Sequence, residues 1–478
     1  MRHHASTLLA ASLLLAAGAA SAADTTIPAS AVKTAEQLRD KALNDGTAYA
    51  VLQSLTTEVG PRLAGGSNDQ PGRDWAVAKF KALGFDKVYT EPATYPLWVR
   101  RHESGSIVAP FPQHLVLTAL GYSPGTPKGG LTAQVIAFDS IAALKAADPA
   151  TIKGKIVYVG YRMQRSQDGH DYGMGSMVRV AGPVIAASKG AAGYLLRSAG
   201  TDAHERIAHT GVTGFRDPSK AIPAAALSNP DADQLERELA YGKPVSVQLD
   251  LDCGIVGEYT GANVIGEITG SKHPEQVVAI GGHLDSWDPG TGAIDDGAGV
   301  AISMAAAKLI HDLPQRPDRT IRVIAFANEE MGLWGARAYA DRHAKEVTDF
   351  MLGTDSDLGA GKVYRISASV KPGARHAIEQ IADVLKPLGV AYDPRRPGGG
   401  GSDLGAMHAK GMAALTLDQD ATHYFDWHHT SNDTLDKVDP KELAQNVAAY
   451  AAWSYMAAQA DGDFGSAPGA FAGDGAEE

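Results

Sequence analysis

After Val256 the sequence alternates between short β-branched runs and longer amphipathic ones: QVVAIGG, AGVAISMAAAKLI, TIRVIAFA and LWGARAYADRHA follow in that order. The first and third are brief apolar stretches without helical spacing, whereas the second and fourth return apolar residues at every third or fourth position. Two strands separated by a helix cannot close a hairpin; they cross over and pair in parallel, and helices then cover both faces of the sheet. An α/β fold with a doubly wound, largely parallel, mixed sheet is expected.

The N-terminal part fits the same plan: RDWAVAKFKAL has helical spacing, and GFDKVYTE turns through Gly84 into a strand. Between Gly121 and about Gly254 the texture changes. KGKIVYVGY reads as a strand, AGPVIAASKGAAGYLLRS as a helix then a strand, and IPAAAL closes the unit. The expected map is a discontinuous domain from 23–120 and 255–460, with 121–254 as a smaller inserted domain. The Gly- and Ala-rich end, 461–478, is expected to be a disordered tail. Residues 1–22 read as a signal peptide, with Arg2, an apolar run from Leu8 to Ala17 and an A-x-A site at Ala20-Ser21-Ala22. Later apolar runs fall short of the roughly 18 residues of a membrane span. The mature chain is therefore expected to be exported, periplasmic or secreted, with no membrane span.

Fifty-five acidic against 43 basic residues give a net charge of −12, which disfavours nucleic acid as a partner. One cysteine, Cys253, against 16 histidines excludes an intrachain disulfide and a thiolate metal cage.

Acids gather where strands end. QVVAIGG runs into His283 and Asp285, then Asp295 and Asp296 before a helix. TIRVIAFA runs into Asn328, Glu329 and Glu330, and the strand near Phe350 into Asp355 and Asp357. Open α/β sheets place their ligand crevice along that edge, so segments remote in sequence converge there. YFDWHHTSNDT adds His428 and His429. A single catalytic zinc needs three protein ligands and a water, so two histidines with at least three acids argue for two divalent metal ions, with zinc favoured by the imidazoles. Asp285, two residues after His283, suits a carboxylate that orients a ligating imidazole. The general base has to be a carboxylate close to the metals that does not ligate them.

The segments GHLDSWDPGTGAIDDGAG, ANEEMGLWGA, TDSD and WHHTSNDT resemble the metal-binding motifs of the zinc aminopeptidase and glutamate carboxypeptidase family of metallo-exopeptidases, most closely its carboxypeptidase Q branch. The similarity runs from about Thr34 to Ala460. It implies that His283 and Asp355 hold one metal, Glu330 and His429 the other, and that Asp295 bridges them across a cis peptide with Asp296. It makes Glu329 the base and 121–254 a protease-associated domain. His428 stands where other branches carry a tyrosine that stabilises the tetrahedral intermediate, and the run Gly398 to Gly401 before Ser402 and Asp403 resembles a stretch lining the substrate cleft. His428, Asp403 and Ser402 are thus candidates for substrate or oxyanion contacts, and Trp287, Tyr424 and Trp427 for shaping the pocket. The implied substrates are dipeptides or the ends of short peptides.

Two other motifs fail on physical grounds. His204, Glu205 and His209 miss H-E-x-x-H by one residue, and an i, i+5 pair diverges on a helix. Gly121 to Gly125 matches a nucleophile elbow, but TPKGG cannot open the helix that must follow. Two alternatives on the same fold are a single-zinc glutaminyl cyclase and a receptor-like binding protein. The full set of ligand positions speaks against both. The preferred peptide end, the side chain and a homodimer are not written in the sequence.

Overall fold

The computed structural model describes residues 24–472, so the leader expected over 1–22 lies outside the described residues. Three helices come first, α1 (Ala29–Ala42), α2 (Thr47–Glu58) and α3 (Asp69–Ala82), followed by the long strand β1 (Lys87–Ala109). The middle of the chain carries β2 (Gln113–Leu115), β3 (Leu117–Ala119), β4 (Leu131–Phe138), α4 (Ile141–Ala146), α5 (Pro149–Ile152), β5 (Ile156–Val159), α6 (Tyr172–Ser188), β6 (Gly193–Arg197), β7 (Ala224–Leu227) and α7 (Asn229–Ala240). A second long strand, β8 (Ser246–Ile268), leads into β9 (His273–His283), α8 (Ala298–His311), β10 (Arg319–Phe326), α9 (Trp334–His343) and β11 (Phe350–Asp355). Then follow β12 (Val363–Ser369), α10 (Arg375–Leu385), β13 (Ala391–Tyr392), α11 (Gly405–His408), β14 (Ala414–Gln419), α12 (Tyr424–Trp427) and α13 (Pro440–Ala458).

The central sheet runs β13-β12-β14-β11-β9-β10-β8. Its middle is parallel, β9 pairing with both β10 and β11 and β11 with β14, while β8 and β12 join antiparallel. Burial on both faces explains the unbroken apolar runs. Along β9, Val278 and Ile280 face the cluster formed with α8 and α13, whereas Val277 and Ala279 face the cluster formed with α9 and α11. Helix α8 is apolar all round because the sheet and other helices enclose it; every residue from Ala298 to Ala307 is buried.

The segment expected as an insertion adds strands beyond β8 rather than between strands of the central sheet. Residues Ser246–Leu249 of β8 pair with β4, while Val264–Ile268 pair with β10, so one strand serves two sheets. Strands β4, β5, β6 and β7 are parallel neighbours, and β3 closes the far edge. This edge strand precedes Gly121. The added sheet has its own apolar cluster around Val157, Leu196 and Tyr194, but a second cluster also takes in Trp287 and Met331 from the loops beyond β9 and β10. The two sheets are thus continuous in both hydrogen bonding and packing.

The tail expected from 461 is corrected for its described part. Phe464 is fully buried, its carbonyl accepts from Lys371 N at 2.9 Å, and Phe471 stacks on His408. Average composition concealed two phenylalanines that suffice to anchor so short a segment. Among the described residues no helix is long and apolar enough to cross a membrane.

Candidate metal centre

Strand order brings the acidic clusters together. Phe326 of β10 pairs with His283 and Asp355 of β11 with Gly281, so the ends of three adjacent parallel strands deliver His283, Glu329, Glu330, Asp355 and Asp357 side by side. His428 and His429 arrive from the turn after α12, where His429 adopts a left-handed φ of 62°.

Hydrogen bonding fixes both histidine tautomers. His283 Nδ1 lies 3.0 Å from the carbonyl of Asp285, and His429 Nδ1 lies 3.2 Å from the carbonyl of Thr210. A carbonyl only accepts, so each Nδ1 is a donor and each Nε2 is the nitrogen turned to the site. The two Nε2 atoms face opposite ends of one carboxylate: His283 is 3.1 Å from Asp295 Oδ1, His429 3.2 Å from Asp295 Oδ2. Glu330 Oε2 is a further 2.8 Å contact of His429. Among the described residues, ligand atoms gather within 4.8 Å in three overlapping groups: His283 with Asp295 and Glu330, Asp295 with His428 and His429, and His283 with Asp296 and Asp357.

Backbone amides hold Asp295 in place. Asp433 Oδ1 accepts from Ala293 N and Ile294 N, both at 2.7 Å, and Oδ2 from Asp295 N at 3.2 Å. Asp296 spans the first turn of α8 and the strand end, accepting from Gly299 N and His283 N at 3.0 Å. The Asp295–Asp296 peptide is cis, as the resemblance implied. Behind it, the buried Arg62 donates to the carbonyls of Gly60, Leu284, Thr291 and Gly292. Arg62 carried no sequence motif; only the fold shows that it ties together the loops bearing Asp285 and Asp295.

The electrostatics are those of a site short of positive charge. Burial and the Asp295 carboxylate push Glu330 up to about 7, and burial with Asp357 pushes Asp355 up to about 8. Burial also lifts Glu329 well above the usual carboxylate range. Burial works against a charged His283 ring, yet the carboxylates of Asp295, Asp357 and Glu329 hold its pKa well above normal; Glu330 does the same for His429. Asp295 Oδ2 and Glu330 Oε1 are buried without a hydrogen-bond donor. Two imidazole nitrogens turned to several crowded carboxylates form a donor set that fits a divalent metal such as zinc.

The remaining expectations divide. Glu329 lies 4.0 Å from His283 Nε2, outside all three ligand groups, and its side chain at 19% exposure is more open than those of Asp357 at 14% or Glu330 at 2%. Asp285 acts differently from expected. Its carboxylate is 3.7 Å from the His283 ring, which is oriented by the Asp285 main-chain carbonyl instead, while the carboxylate accepts from Glu329 N at 3.0 Å and Glu330 N at 3.4 Å. Asp355 also departs. Its oxygens accept from Ser402 N at 3.2 Å and Leu404 N at 2.6 Å, whereas Asp357, not assigned a role from sequence, stands 3.5 Å from His283 Nε2. Gly401 permits that arrangement, because a Cβ there would lie 1.7 Å from Asp355 Oδ1.

Ser402 donates to Asp357, and both oxygens of the buried Asp403 lack partners. His428 stacks on His429 with ring centroids 3.5 Å apart; burial and that neighbour push its pKa well below normal, leaving it neutral. Its Nε2 is 3.4 Å from Asp295 Oδ2. Trp287 packs 5.7 Å from the His429 ring, and Tyr424 and Trp427 line a neighbouring cavity of about 460 Å³.

The sequence profile of Peptidase family M28 matches residues 263–454. Carboxypeptidase Q from Bos taurus is 33% identical over 410 residues, 86% of this chain and 85% of that protein. A crystal structure of a peptidase M28 precursor from Shewanella amazonensis SB2B is 48% identical, with a TM-score of 0.87, and covers 90% of this chain and 96% of that one. A zinc aminopeptidase from Bacillus subtilis shares the fold at 20% identity and a TM-score of 0.62, over 86% of this chain and 94% of its own.

Proposed function

The chain belongs to peptidase family M28, and on that premise we propose that it is a dinuclear zinc exopeptidase acting on dipeptides and the ends of short peptides. The observation that carries this reading is the Asp295 carboxylate, whose two oxygens each face the Nε2 of a different histidine. His283 and Asp295 would hold one ion, His429, Glu330 and Asp295 the other. The end of β11 supplies a further carboxylate to the His283 side, where the geometry favours Asp357 over Asp355. Two such cations would polarise the scissile carbonyl and acidify the attacking water. Glu329 takes the water's proton and returns it to the leaving amine, and the Asp285 carboxylate holds its main chain.

A free substrate carboxylate has a candidate partner in Arg179. Its side chain is 5% exposed and has no acid partner among the described residues; it donates to Tyr172 Oη at 2.9 Å and to the Thr210 carbonyl at 3.4 Å, and its Nε has no acceptor. A guanidinium kept so close to His429 without a counter-ion favours an anionic ligand. The acids gathered around His283, namely Glu329, Asp357 and Asp403, suit a substrate ammonium. The cavity beside Ile294, Leu358, Tyr424 and Trp427 can take a bulky side chain.

Elemental analysis and a dipeptide screen test the reading together. About two zinc ions per chain are expected, with faster cleavage of free dipeptides than of their C-terminal amides, and Arg179→Gln should erase that preference. A chain that holds one ion or none, or that cleaves no dipeptide, overturns the proposal. The exported destination inferred from residues 1–22 is part of the same reading, tested by N-terminal sequencing of the mature protein.

A further inference from the structure

The segment His209–Gly211 lies in the long connection between β6 and β7 of the added sheet, yet it grips the turn that carries the metal-facing histidines. Thr210 N donates to the His429 carbonyl at 3.0 Å, His209 Nδ1 reaches the His428 carbonyl at 2.7 Å, and His429 Nδ1 returns to the Thr210 carbonyl at 3.2 Å. Since carbonyls only accept, both ring nitrogens must be donors. The His428 and His429 carbonyls belong to the two peptide planes flanking the His429 Cα. Pinning both planes fixes φ and ψ at His429, a residue in the left-handed region that side-chain-bearing residues rarely adopt. Pinning Nδ1 fixes the ring. Every torsion that aims His429 Nε2 at Asp295 and Glu330 is thereby set from residues 209 and 210.

The grip is itself anchored. His209 N donates to Ser198 Oγ at 2.9 Å, Thr210 Oγ1 to the Ala119 carbonyl at 2.8 Å, and Gly121 N to the Gly211 carbonyl at 3.0 Å. The His209 ring lies against Gly200, where a Cβ would stand 2.2 Å from it, and is 1% exposed. Three further bonds tie the same regions: Arg165 forms a bidentate pair with Asp426 at 2.6 Å, and Thr201 N donates to the Phe425 carbonyl at 2.9 Å.

We propose that His209 is a positioning residue of the metal centre, and that the added sheet completes that centre by holding His429 in ligating geometry. The inference rests on the reading of His429 as a ligand. It gives a role to a histidine that resembled half of an H-E-x-x-H motif: it binds no metal but orients a residue that does.

The test compares a variant that keeps the ring's bulk with one that keeps its donor. Cobalt(II) is titrated into the chelated full-length chain, its absorption read at each equivalent, and zinc affinity measured by competition with a chromogenic chelator. His209→Phe should lose about 10 to 100-fold in affinity at one of two sites, the range typical of partners that orient metal ligands, while His209→Asn, whose amide can donate in place of Nδ1–H, should stay within about threefold of wild type. A packing role predicts the reverse order, and that order, or two variants with equal affinity, overturns the proposal. Wild-type protein supplies a reading independent of any variant's folding: long-range ¹H–¹⁵N spectra should show His209 protonated at Nδ1 and bare at Nε2, and the opposite tautomer refutes it. Wild-type protein that takes up no second ion refutes the dinuclear reading instead, whichever way the variants behave.

Discussion

Asp433→Asn tests how far the centre depends on a residue that touches no metal. The carboxylate is 3% exposed and accepts three main-chain amides, two on Oδ1 and one, from Asp295, on Oδ2. An asparagine can keep its carbonyl oxygen on Ala293 N and Ile294 N, but its NH₂ then confronts Asp295 N–H, donor against donor. The loss is one charge-assisted bond plus a stranded buried donor, together about 2 to 4 kcal/mol. Against that, removing a carboxylate that burial and Asp295 have pushed up to about 7 relieves some crowding of negative charge. The net expectation is about 2 kcal/mol, concentrated on the turn that carries Asp295. Thermal unfolding of chelated protein isolates the fold term, and metal competition isolates the site, where a loss of about 1.4 kcal/mol reads as tenfold in affinity. Asp433→Ala, which gives up all three bonds, should be worse on both measures. An asparagine variant with wild-type melting temperature and wild-type metal affinity would refute the claim that Asp433 holds the turn.

Glu329→Gln should keep its metal content and peptide binding while kcat falls by about 10² to 10⁴-fold, the share of general-base catalysis; an active variant with full metal sinks that role. Chelation should lower the melting temperature, because an ion held at a thousandfold excess over its Kd stabilises the native state by about 4 kcal/mol; an unchanged transition would mean the site binds nothing. Asp357→Asn should weaken one of the two ions more than Asp355→Asn does, as titration of both variants with cobalt(II) will read, and the reverse ranking would return Asp355 to the ligand set.

The sequence made the sheet and most of the centre legible for a physical reason. Parallel strands buried on both faces must be continuous apolar runs, and the polar residue that ends each run necessarily lies at the carboxyl edge, so His283, Glu329 and Glu330 could be placed on one rim before any pairing was known. Asp295 and His429 were found through motifs. Contacts between remote segments were not legible: neither Arg62 nor Thr210 has local chemistry that announces its partners, and each acts through main-chain carbonyls that every residue possesses. The order of the tail's described part is not legible in composition, because one buried and one half-buried phenylalanine count for little in an average over eighteen residues.

Asp355 and Asp357 mark the boundary between the two kinds of knowledge. Side chains two residues apart on an extended strand share a face, so the sequence TDSD offers two acids to the same side of the sheet and cannot rank them. What separates them is depth. Asp355 sits level with Gly281, within reach of the amides of Ser402 and Leu404, whereas Asp357 lies past the strand's end and beside His283. For Asp355 to turn toward an ion it must release two amides, of which that of Leu404 is buried, so its transfer to the ligand set favours movement of the loop at 402–404 with it. That loop also presents Asp403, the buried carboxylate with no partner, and its position therefore couples the choice of ligand to the acidic side of the cleft where a substrate ammonium would sit.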